Sequence, residues 1–119
     1  MYINELNVRK NDDGITELVS PFKSAEKKSF WVAQITGKDE KFGLKRNFLK
    51  LTHDAQGYLK ADLKEGLYEF YCKSLLTGIP IRGFVKVDSW SFSFGTSAGE
   101  LDSQYKQEAK KEEESPLYK

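Results

Sequence analysis

Short blocks of alternating or continuous apolar residues, punctuated by glycine, proline and Asp-Gly steps, fill residues 1–97. The clearest is Ser89-Trp90-Ser91-Phe92-Ser93-Phe94-Gly95. Trp90, Phe92 and Phe94 fall on one side of an extended chain and the serines on the other, the period of two expected of a strand with one covered face. That row is read as a layer of the core. Residues 29–36 (Ser-Phe-Trp-Val-Ala-Gln-Ile-Thr) carry β-branched and aromatic side chains on both sides, which predicts a central strand covered on both faces.

The remaining blocks fit the same scheme. Residues 2–9 and 15–22 flank Asn11-Asp12-Asp13-Gly14, whose Asp-Gly step supplies positive φ and predicts a hairpin. Residues 24–28, polar and just past Pro21, read as a connecting loop. A second hairpin is predicted from 29–36 to 44–51 around the charged stretch 37–43. A helix over 44–52 competes for the second arm, because Leu44, Phe48, Leu51 and Thr52 also fall on one helical face. Residues 53–57 read as a turn, 58–63 and 67–72 as strands, and Gly78-Ile79-Pro80 as another turn. Pro80 has no amide to donate, so the strand over 81–87 should start at a sheet edge or at its own first residue. Six or seven strands at short spacing, with no long amphipathic helix, predict an all-β fold, a small antiparallel barrel or sandwich.

Past Gly99 the apolar content falls. Residues 101–114 include Lys110-Lys111-Glu112-Glu113-Glu114, good helix formers without an apolar stripe to hold a helix down, and Ser115-Pro116 would end one. The chain therefore divides into a β-rich body, 1–97, and a charged tail, 98–119, disordered or helical.

Charge and composition narrow the function. All aromatic residues except Tyr105 and Tyr118 lie in the body, and rings supply packing and stacking energy rather than reacting groups. The net charge of +1 splits into a body with 15 Lys and Arg against 12 Asp and Glu, and a tail with 4 against 6. The single cysteine, Cys72, has no partner for an intrachain disulfide or a metal site, which favours a reducing compartment. Met1-Tyr2-Ile3-Asn4-Glu5-Leu6 lacks a basic leader and an apolar segment, and no later run is long enough to span a bilayer. A cytoplasmic protein (host cytoplasm if the chain is virus-encoded) with no membrane partner is expected.

Residues in reactive arrangements are few. His53 sits in a polar turn beside Asp54, Cys72 lies within a strand, and no G-x-S-x-G elbow is present, so a solvated histidine and a packed cysteine are expected rather than a nucleophile and its base. Asp12-Asp13 is accounted for by the turn and Asp39-Glu40 by a charged loop, without calcium-loop spacing. Gly37-Lys38 lacks the other residues of a phosphate loop. No catalytic activity, metal or cofactor is expected.

One mixture does point to a ligand. Lys38, Lys41, Lys45, Arg46 and Lys50 interleave with Phe42 and Phe48, while Arg82, Phe84 and Lys86 share one side of a later strand. Cations that neutralise phosphates beside rings that stack on bases are the means of gripping single strands. The expected function is non-catalytic binding of single-stranded DNA or RNA. Lys41, Lys45, Arg46, Lys50, Arg82 and Lys86 would meet phosphates, and Phe42, Phe48 or Phe84 would stack. The same residues would also suit a plain sheet edge, with the rings inside and the lysines keeping it soluble. A second class of function is a small protein-binding inhibitor or adaptor, of the kind viruses or mobile elements encode, that occludes a partner's surface or adds an edge strand.

Overall fold

In the computed structural model, residues 6–23, 29–38, 43–89 and 91–105 are described. Asn11 organises the first turn: its side-chain Oδ1 accepts the amides of Asp13 at 2.9 Å and Ile15 at 3.1 Å. Gly14 takes a φ of +78°, open to glycine without strain. This closes the predicted hairpin between β1 (Asn7–Lys10) and β2 (Thr16–Val19). Next come β3 (Phe30–Lys38), β4 (Leu44–Phe48), β5 (Thr52–His53), β6 (Leu59–Leu63), β7 (Gly66–Lys73), β8 (Pro80–Val87) and β9 (Phe92–Gly95). Among the described residues all pairings are antiparallel, in a four-stranded sheet of order β1-β2-β6-β5 and a five-stranded sheet of order β4-β3-β7-β8-β9. The all-β expectation holds, and the count exceeds six or seven because short edge pieces such as the two-residue β5 add to it.

The second hairpin is β3–β4, not a strand and a helix. Ala33 opposes Phe48 and Ile35 opposes Arg46, and the Leu49 amide still donates to the Val32 carbonyl at 2.9 Å. β8 begins at Pro80, opposite Lys73, where the missing amide costs no ladder bond in the strand interior.

One core lies between the sheets. Phe30, Val32, Phe70 and Val85 of the five-stranded sheet pack with Leu18, Leu59, Ala61 and Leu63 of the other, all fully or nearly fully buried. Each of the larger side chains contributes about 1.5–3 kcal/mol by leaving water. Phe94 adds an edge-on contact with Phe70, ring centroids 5.8 Å apart. Phe92 is more open because β9 is an edge strand, while Trp90, the third ring of that predicted layer, lies outside the described residues. The loop predicted over 24–28 and the tail beyond residue 105 also lie outside them.

The chain after β9 turns back over the five-stranded sheet as a short helix, α1 (Ala98–Leu101), and a 3-10 turn, Ser103–Tyr105. Ala98 and Tyr105 are buried against Ile35, Leu67 and Phe84, with Leu44 and Leu101 at the border. Gly95 permits this close return: a Cβ there would stand 2.9 Å from Glu100 Oε2 and 3.0 Å from Leu101 Cγ. The Glu100 carboxylate in turn accepts the Thr96 amide at 2.9 Å and hydroxyl at 2.6 Å. Among the described residues no helix is long and apolar enough to cross a membrane.

Candidate nucleic-acid interface

Because Phe30 and Val32 fill the core, Trp31, Ala33 and Ile35 turn to the outer side of β3. The ladder then fixes what joins them: Leu67, Glu69 and Tyr71 on β7, Arg82, Phe84 and Lys86 on β8, and Leu44, Arg46 and Phe48 on β4. Residues 98–105 roof one half of this face, over Ile35, Leu67 and Phe84. The other half is open.

Trp31, Tyr71 and Arg82 form a directly opposed row across three strands on that open half. The Trp31 and Tyr71 rings stack with planes 7° apart and centroids at 5.8 Å. The Arg82 guanidinium lies 5.7 Å from the Trp31 ring centre and 5.9 Å from that of Tyr71, within the range of cation–π attraction. Phe48 meets Trp31 edge-on, centroids 5.3 Å apart, and is itself 61% exposed. Its neighbour across the ladder is Ala33, small enough to leave room for this contact.

Glu69 stands in the middle, its side chain 4% exposed. It pairs with Arg46 Nε, and Arg82 Nε lies 3.9 Å from its second oxygen. A buried carboxylate needs such partners. One acid shared by two guanidinium groups leaves this part of the face positive, and two further exposed cations follow on the same strands or just past them. Lys73 is exposed two residues beyond Tyr71 on the same side of β7, and Lys50 is exposed between Leu49 and Leu51, which both pack on the core.

The structure thus brings together Arg46, Phe48 and Arg82 of the residues predicted from sequence, while Lys50 is exposed two residues past the end of β4. Lys45 is exposed but alternates to the opposite side of β4, its stem beside Gly37. Phe84 shares the side of Arg82 but is 8% exposed beneath residues 98–105, so its ring is not open to stack on a ligand. Lys86 lies at that roofed end, half-buried and within electrostatic range of Asp102. Lys41 and Phe42 lie outside the described residues. Trp31 and Tyr71 were not among the residues predicted from sequence. The signal that marks them is Glu69: a charge at the centre of an apolar strand assigns its own side, and hence Tyr71, to the face away from the core.

The outer face of the four-stranded sheet is different in kind. Glu17 accepts Arg9 Nε at 3.0 Å and Lys60 Nζ at 3.0 Å, Asp62 accepts Lys60 at 2.6 Å, and Asp54 accepts Arg9 at 3.1 Å. Burial alone would raise the Glu17 pKa, but hydrogen bonds from Lys60, Arg9 and Asn11 outweigh it and hold the carboxyl below its usual range. Asp54 is lowered in the same way, burial being outweighed by the amides of Tyr58 and Gln56 and by Arg9. Charges that neutralise one another leave little field for a polyanion.

His53 is exposed on β5, its Nε2 3.2 Å from the Lys23 carbonyl, while Cys72 is sealed in the core. Among the described residues no group of three or more His, Cys, Asp or Glu side chains is placed to hold a metal ion. Comparisons with protein-family models, curated proteins and solved structures returned no match.

Proposed function

We propose that this chain is a non-catalytic domain that binds single-stranded DNA or RNA on the open outer half of its five-stranded sheet. The observation that carries the reading is the Trp31–Tyr71–Arg82 row with the exposed Phe48 ring at its side. Unpaired bases offer their faces to rings, whereas a duplex hides them, so a flat aromatic platform favours single strands. Each base stacked contributes about 1–3 kcal/mol with little regard to its identity. Arg46, Arg82, Lys50 and Lys73 supply the phosphate contacts, which position the strand and make binding fall with salt. A cytoplasmic setting suits this reading, with Cys72 kept as a buried thiol.

The test is fluorescence anisotropy of a labelled single-stranded oligonucleotide against the same sequence as a duplex, at low and then rising salt. Tighter binding of the single strand, with log affinity falling linearly against log salt, is the expected result. No anisotropy change at low salt, or equal affinity for the duplex, overturns the proposal.

A further inference from the structure

The outer face of the five-stranded sheet keeps its character where residues 98–105 cover it. Along that side of β8 the open Arg82 is followed by Phe84 and then Lys86, so cation and ring go on alternating beneath the cover. Lys38, at the end of β3, adds a cation there, its Nζ 5.7 Å from the centre of the Tyr105 ring. The covering segment has the complementary character. Residues 96–105 contain two acids, Glu100 and Asp102, and no Lys or Arg, and they close on the buried ring of Tyr105. Glu100 fastens the segment's own turn at Thr96. The Asp102 carboxyl is held below its usual range, first by the hydrogen bond from the Gln104 side chain at 3.1 Å and also by the charge of Lys86.

A ring and an acid set against a ring and lysines reproduce the two features by which a single strand is gripped, a face to stack and a negative charge to neutralise. We propose, on the reading of the open half as a single-strand platform, that the covered surface is a latent half of the same site, occupied by the chain itself: Tyr105 takes the place of a base beside Phe84, and Asp102 that of a phosphate at Lys86. With the cover in place, the native chain offers only the open half. The cover is held by the sheet more than by its own helix, since α1 has four residues and its N-cap, Ser97, makes no side-chain hydrogen bond. Loss of the Tyr105 ring therefore uncovers Phe84 and Lys86 together.

Anisotropy titrations of the full chain with single strands of about four and about twelve nucleotides test the inference, the short one matched to the open half. Tyr105→Ala should bind the long strand about fivefold or more tighter than the native chain does, the equivalent of one further stacked base, and the short strand as before. Leu101→Asn loosens the border of the cover without changing charge or removing Tyr105. It should give the same length-dependent gain, and it serves if circular dichroism finds the Tyr105 variant unfolded. Adding Lys86→Gln to Tyr105→Ala should cancel most of the gain. No gain, an equal gain on both lengths, or a gain that Lys86→Gln leaves intact overturns the inference, while the platform reading stands on the native chain's binding of the short strand. A native chain that binds neither strand overturns both.

Discussion

Tyr71 lies directly across the ladder from Trp31, and the two rings stack within 7° of parallel beneath the guanidinium of Arg82. Rings locked by neighbours need no further ordering when a ligand arrives, so contact energy is not spent on arranging the site.

Removing a ring from this group should therefore show up in affinity. Phe48→Ala and Tyr71→Ala are each expected to weaken single-strand binding by about fivefold to a hundredfold, the equivalent of one stacked base. Arg82→Ala should also lessen the slope of log affinity against log salt by about 0.7, the loss of one phosphate contact. Anisotropy titrations measure both, and thermal melts monitored by circular dichroism confirm that the sheet remains intact.

Glu69 gives the opposite sign. Glu69→Gln removes the acid that lies between Arg46 and Arg82, so a polyanion should bind more tightly and with steeper salt dependence. The same change weakens a charged hydrogen bond to Arg46, and stability should fall by about 1.5–3 kcal/mol. Gain of affinity together with loss of stability, from anisotropy and urea unfolding on one variant, separates an electrostatic role from simple damage.

Acid should loosen the four-stranded sheet. The Glu17 carboxyl is held below its usual range, against burial, by Lys60, Arg9 and Asn11. A carboxyl depressed in the folded state adds stability above the unfolded value, about pH 4.3, and that stability is lost as pH falls through the lower folded value. Melting temperature should thus decline at the acid end of a series from about pH 7 to about pH 3. Glu17→Gln should lower it at neutral pH and flatten the acid decline.

The returning chain end can be tested at Gly95 and Tyr105. Gly95→Ala places a methyl 3.0 Å from Leu101 Cγ and 2.9 Å from Glu100 Oε2, and the resulting crowding should cost about 1–3 kcal/mol. Tyr105→Ala takes a buried ring from beside Phe84 and should increase binding of a hydrophobic dye such as ANS. Urea midpoints and dye fluorescence supply the two readings.

Local chemistry made much of the fold legible. Asp13-Gly14 marked the first turn, Pro80 marked where β8 begins, and the density of apolar residues marked β3 as central. The uses of the two sheet faces were less legible, because alternation shows that residues share a side but not what covers it. Trp31 and Ile35 share a side of β3, yet Ile35 lies under the chain end and Trp31 belongs to the open platform. Phe84 could not be assigned without knowing that Ala98, Leu101 and Tyr105, spaced three and four apart, supply a short apolar stripe in what reads as a charged tail. The exposure of Phe48, Arg46 and Arg82 was legible because their strands kept charged residues in alternation.

Covering Phe84 has a consequence for reach. With that end of the sheet closed, the free strip runs across β4, β3, β7 and β8, which at about 4.8 Å between strands measures about 14 Å. If the platform binds single strands as proposed, so narrow a footprint would engage only a few nucleotides. A long strand would be covered by recruiting more molecules along it, and not by any one of them holding a longer stretch.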